Sequence, residues 1–148
     1  MNSSVCVDAS LTLKLVLEEP DSDVAYALWV EWRAREVTAI APTLWAYEVT
    51  SVLRNRVYRG KLPPGLEVEL FEAVHQLPVR LMAPPGLHQR AAELARHFNR
   101  PAAYDSHYLA LAEMRGCPFW TADERLFNAL REELSWVHWL GNYPRPNR

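Results

Sequence analysis

The chain predicts an α/β fold, a three-layer α/β/α sandwich around a mainly parallel sheet of four or five strands. Three observations carry this. Short apolar runs alternate with longer segments of helical period, the pattern of strands joined by helical crossovers. The first run, Val5-Cys6-Val7, is continuously apolar, as a strand buried on both faces must be. Proline and glycine fall between the runs and not within the longest of them, so the breaks mark element ends.

Taken in order, Val5 to Val7 is the first strand, and Leu11 to Glu19 reads as a helix stopped by Pro20 with Ser10 as a candidate cap. Asp21 to Glu36 is a second helix, because Val24, Leu28 and Trp32 recur at helical spacing. Val37 to Ala41 is a brief strand. The strongest helical pattern covers residues 43 to 59: it opens at Thr43 after Pro42, closes at Gly60, and puts Leu44, Trp45, Val49, Val52 and Leu53 on one side. Pro-Pro-Gly-Leu occurs at 63 to 66 and again at 84 to 87, each time as a turn that launches a helix. Pro78 to Met82 reads as a strand, Leu87 to Asn99 as a helix, and 102 to 116 as a helix ended by Gly116. A strand at 117 to 121, a helix at 124 to 134 and a strand at Trp136 to Leu140 complete the pattern before a polar, proline-bearing tail at 142 to 148.

With 148 residues and 49% hydrophobic content, residues 1 to 148 are expected to form a single domain around one substantial core. The two cysteines, Cys6 and Cys117, sit in apolar segments without zinc-ligand spacing, which argues against a disulfide framework or a zinc site. No secretory pattern or apolar run of membrane-spanning length is present, so a cytoplasmic protein with no membrane partner is expected. A net charge of -2 is not that of a strongly basic nucleic-acid binder, but it is unevenly spread: residues 1–74 carry -4 and residues 75–148 carry +2. Fourteen of the sixteen basic residues are arginine, which suits bidentate phosphate contacts but also follows from genomic base composition.

Four acids occupy positions where a neutral or apolar residue would be ordinary. Asp8 ends the first strand and Asp123 follows the strand 117 to 121, so both fall at carboxyl ends of strands, where open α/β sheets bind ligands. Glu48 has Leu44, Trp45 and Val52 as helical neighbours, and Asp105 has Tyr108, Leu109 and Ala112, so each lies at the edge of an apolar stripe. Duller roles exist for each: turn or cap for Asp8, an ion pair with Arg56 or Arg59 for Glu48, dipole complement for Asp105 and helix start for Asp123. Thr121 and Glu124 fit a capping box, leaving Asp123 to point into the crevice. His107 points roughly opposite Asp105 and reads as surface or packing. At about 4 Å and an effective dielectric near 20, each like-charge pair would repel by roughly 4 kcal/mol, so four converging carboxylates call for a cation. Oxygen ligands select Mg²⁺ or Mn²⁺, and such an ion suits phosphodiester hydrolysis by activating water and offsetting charge on phosphate.

On Val7-Asp8-Ala9-Ser10, Tyr47-Glu48-Val49 with Leu53, Tyr104-Asp105-Ser106-His107-Tyr108-Leu109-Ala110-Leu111-Ala112 and Thr121-Ala122-Asp123-Glu124-Arg125-Leu126, the chain resembles the PIN-domain nucleases, and among them the VapC-like toxins of VapBC toxin-antitoxin systems. The resemblance spans nearly the whole chain. It implies a PIN-like sandwich and a Mg²⁺- or Mn²⁺-dependent endoribonuclease that hydrolyses RNA, with Asp8, Glu48, Asp105 and Asp123 as catalytic metal ligands. It further implies Ser10 and Thr121 as polar support, a homodimer, and inhibition by a cognate antitoxin. Ser106-His107 departs from the small, variable residues usual there. Asn55 and Arg59 share a side with Glu48 and are candidate groove contacts, although the local arginines also read as a solvated helix end. The same fold admits a housekeeping RNA-processing or DNA-acting nuclease, and a catalytically silent interaction module. Aspartyl phosphotransfer is disfavoured, because such enzymes carry a second Asp where this chain has Ser10.

Overall fold

The computed structural model describes residues 3–147. Five strands, β1 (Ser4–Val7), β2 (Thr38–Pro42), β3 (Val79–Met82), β4 (Phe119–Thr121) and β5 (Val137–Trp139), form one sheet in the order β3-β2-β1-β4-β5. Every pairing is parallel. The helices are α1 (Ala9–Leu13), α2 (Ser22–Ala34), α3 (Leu44–Tyr58), α4 (Leu66–Gln76), α5 (Leu87–His97), α6 (Tyr104–Arg115) and α7 (Glu124–Leu130), with a 3-10 turn at Leu140–Asn142. The expected α/β sandwich is therefore present, at the upper of the two strand counts.

Residue alternation along β1 divides the core. Cys6 faces a large cluster containing Trp45, Val49 and Leu53 of α3, Leu94 of α5, Tyr108 to Ala112 of α6 and Leu126 of α7. Val5 and Val7 face a smaller cluster built on Val24, Leu28 and Trp32 of α2 and closed by Leu140. Strand β3, at the sheet edge, is half-exposed, with Arg80 and Leu81 in solvent, which discourages pairing with another chain.

Several boundaries move. The helix expected over 11–19 is one turn, Ala9–Leu13, and its cap is Asp8, not Ser10. Tight turns carry the chain on to Leu17, whose carbonyl is then satisfied by the Ser22 hydroxyl at 2.9 Å. Pro20 lacks an N–H and the Ser22 hydroxyl supplies an alternative partner, so the last backbone groups have no need of a longer helix. Helix α7 stops at Leu130, short of the expected 134, and 131–134 forms turns against Phe127 and Leu130. The residues read as a polar tail are partly tied down: the Tyr143 hydroxyl donates to Glu31, its ring lies edge-on to Trp120, and Arg145 pairs with Asp21 at 2.7 Å. Residue 148 lies outside the described residues.

Strand order reverses beside β1: the chain moves outward to β2 and β3, then returns to the other side for β4 and β5. The carboxyl ends of β1 and β4 flank this switch point, where the crossovers diverge and leave a crevice. Asp8 stands at one side of it and Thr121 at the other.

Candidate active site

Asp8 is seated by the turn it begins. Leaving β1, it takes extended backbone (φ -91°, ψ 170°) and caps α1, its Oδ1 accepting from the Leu11 N–H at 3.1 Å and from the Ser10 hydroxyl at 2.6 Å. Across the switch point the Thr121 hydroxyl donates to Asp8 Oδ2 at 2.5 Å, and Thr121 Oγ1 accepts from the Asp123 N–H at 2.9 Å. Ser10 Oγ in turn accepts from the Ala122 N–H at 3.1 Å. Ser10 and Thr121 thus stitch the ends of β1 and β4 together through Asp8. Only 7% of Asp8 is exposed, and burial pushes its carboxyl up to about 7. The three hydrogen bonds pull it down and the Asp105 charge pushes it further up.

Glu48 comes from α3, half-buried, and its Oε1 accepts from the Tyr108 hydroxyl at 2.6 Å. Burial raises its pKa, the Tyr108 bond lowers it, and Asp105 raises it again. Asp105 lies in the first turn of α6, where Arg100 stands 3.6 Å away. Its carboxyl is also raised, first by burial, against the Arg100 charge, and with the Asp123 charge adding to the rise. Asp105 therefore feels, or is felt by, each of the other three acids. These influences all run through Asp105, which neighbours the other three.

Asp123 is exposed and caps α7, its Oδ1 accepting from the Leu126 N–H at 3.2 Å. The capping box expected from Thr121 and Glu124 is not formed; the cap is Asp123 itself, because the Thr121 hydroxyl is engaged by Asp8. Asn55 and Arg59 are exposed on the last turns of α3, where Asn55 lines an open groove with Thr50, Arg54 and Tyr58. No side-chain bond joins either to the four acids among the described residues. His107 is half-buried, hydrogen-bonded to the Ala103 carbonyl and to His88, consistent with packing.

Tyr108 and Arg100 are site neighbours that sequence reasoning did not single out. Tyr108 follows Asp105 by one helical turn and so shares its face, but its partner Glu48 lies on a different helix, far back along the chain, and no periodicity announces the pair. Arg100 is in a loop, where spacing carries no distance information. A third addition is Thr12, whose hydroxyl accepts from Trp45 Nε1 at 2.8 Å, tying α1 to α3, and donates to the Asp8 carbonyl at 3.3 Å.

The donor set is all oxygen, short of positive charge, and suited to a hard divalent cation. As the side chains stand, each carboxylate is turned to a protein partner, and among the described residues no group of three or more His, Cys, Asp or Glu is arranged to hold a metal ion. The residues fit such an ion in chemistry, and in this arrangement they are not gathered on one.

The fold has counterparts among known structures. The chain is similar in structure to PAE2754 from Pyrobaculum aerophilum, with a TM-score of 0.65 and 20% identity over 90% of this chain and 91% of that one. It is also similar to Mycobacterium tuberculosis VapC20, described as a Sarcin-Ricin loop cleaving toxin, with a TM-score of 0.63 and 19% identity over 85% of this chain and 95% of that one. Among curated proteins nothing matches. Residues 5–133 match the PIN domain, a span that runs from β1 past α7 and includes all four acids. The chain belongs to the PIN domain family.

Proposed function

We propose that this protein is a Mg²⁺- or Mn²⁺-dependent endoribonuclease that hydrolyses RNA phosphodiester bonds, and that it serves as the toxin of a type II toxin-antitoxin pair. The observation that carries the reading is the trio Asp8, Glu48 and Asp105, all held above the ordinary carboxylate range by burial and, in part, by one another. A crevice this short of positive charge is stabilised by a divalent cation more than by anything the chain supplies. Asp8, Glu48, Asp105 and Asp123 are the residues that would hold it. When bound, such an ion lowers the pKa of its water and offsets charge on the phosphate and leaving oxygen.

The chain's own residues prepare for this. Ser10, Thr121 and the Leu11 N–H fix both oxygens of Asp8, so its carboxylate enters the crevice in a set orientation. Tyr108 holds one oxygen of Glu48. Fixing the supporting partners in advance limits the entropy lost when a ligand binds. Similarity to VapC20 supports RNA as substrate and the toxin role. Exposed Tyr47, Tyr58, Val68 and Phe71 on α3 and α4 support a protein partner, a second copy or an antitoxin, on that face.

The test is cleavage of RNA by Asp8→Asn and Asp105→Asn proteins in Mn²⁺. Each is expected to lose activity on the order of 100-fold or more. Parent-like rates in both would end the proposal.

A further inference from the structure

Among the described residues, Arg100 is the basic side chain in ion-pair contact with one of the four acids, its Nη2 lying 3.6 Å from Asp105 Oδ2. Its position is built, not incidental. After α5 the chain turns through Asn99 in the left-handed region, at φ 52°. The Arg100 N–H returns to the Ala95 carbonyl at 2.7 Å. Pro101 then fixes the next backbone step. The guanidinium is thereby carried to the first turn of α6, about two-thirds buried. Its contact with Asp105 is nevertheless loose. Well-made Arg–carboxylate bonds run about 2.7–2.9 Å and are often bidentate, so most of the five guanidinium donors remain available.

We infer that Arg100 is an exchangeable counter-ion that doubles as the binding residue for the RNA phosphodiester at the reacting position. In the ion-free protein it partners Asp105. A divalent ion taken up by Asp105 competes for the same carboxylate and releases the guanidinium, which a planar fork then offers to two non-bridging phosphate oxygens. An acidic crevice needs such a cation, because a phosphate approaching four carboxylates is otherwise repelled. Arg59 does not supply it: at the far end of α3 from Glu48, it is about 16 Å away along the helix axis. The inference rests on the nuclease reading above and adds the residue that meets the substrate.

Two measurements on the full chain test it, with Arg100→Ala and the charge-conserving Arg100→Lys. In calorimetric titration with Mn²⁺ alone, Arg100→Ala is expected to bind the ion three- to tenfold more tightly than the parent, since its competitor is gone. In cleavage of a short single-stranded RNA at saturating Mn²⁺, the same variant is expected to raise KM at least fivefold while kcat changes less than threefold. Its plot of log KM against log salt should be shallower by about 0.7, the value of one lost contact to a single strand. Arg100→Lys should fall between on both readouts. Unchanged or weaker Mn²⁺ affinity in Arg100→Ala overturns the counter-ion role, and an unchanged KM and salt slope overturns phosphate binding. A parent that binds Mn²⁺ and cuts RNA while both variants match it refutes this inference alone. A parent that binds no Mn²⁺ refutes the nuclease reading, and this one with it.

Discussion

Asp8 is a buried carboxyl held by three hydrogen bonds. Its ordinary pKa of 3.8 rises to about 7 in the folded protein, so between those values the folded state keeps a proton that the unfolded state releases. Stability of the ion-free protein should therefore fall as pH rises from about 4 to about 7, by a few kcal/mol at most. Urea denaturation at a series of pH values checks this, and Asp8→Asn should flatten the dependence. Uptake of a divalent ion needs the ionised form, so Mn²⁺ affinity at pH 6 should be about tenfold weaker than at pH 8 by calorimetry. Thr121→Val removes the bond that crosses the switch point to Asp8 and leaves the Asp123 N–H without its acceptor. The expected result is a loss of about 10- to 100-fold in Mn²⁺ affinity, and of about 1–3 kcal/mol in stability.

At the scale of elements, the legible parts are those written in period and punctuation. Helices α3, α5 and α6 show continuous apolar stripes. Gly116, left-handed at φ 61°, stops α6. Glycine takes that conformation without strain, which is why it marks the end so clearly. The short elements were harder to read. Helices α1 and α7 are capped by Asp8 and Asp123, two acids also proposed as metal ligands, and neither role would erase the sequence signature of the other. The competing cap signals at Ser10 and Thr121 differ from the outcome because each hydroxyl bonds the neighbouring acid or its N–H and reaches across the switch point, and neither accepts from the first turn of a helix. Junctions between elements were invisible too. Trp45 Nε1 bonds Thr12 on a separate helix, a pairing that no local pattern records. Trp45→Phe should cost about 1–3 kcal/mol by leaving that buried hydroxyl short of a donor, measurable as a shift in urea midpoint. Leu109→Ala, in the fully buried stripe of α6, should cost about 2–5 kcal/mol in the same assay.

For the molecule as a whole, strand order was beyond reach of the sequence, since apolar runs state that strands exist and not which of them are neighbours. The alternation of strands and helices did foretell a parallel sheet, and Asp8 and Asp123 do follow the strands β1 and β4 as expected. The closing segment behaved otherwise than its polarity suggested. Tyr143 and Arg145 lash it to α2 and the turn before it, while Leu140 plugs the smaller core. A chain cut after residue 139 should therefore melt several degrees lower in a circular dichroism scan. No helix among the described residues is long and apolar enough to cross a membrane.

The seating of Asp8 also bears on when, during synthesis, the crevice comes into being. Its acid is made 113 residues before the hydroxyl that holds it, which lies on the neighbouring strand. A ribosome that has not passed that point carries a chain with one lip of the cleft and not the other. Under the nuclease reading proposed above, the all-parallel sheet works as a delay: the candidate site is assembled only after translation has brought in β4.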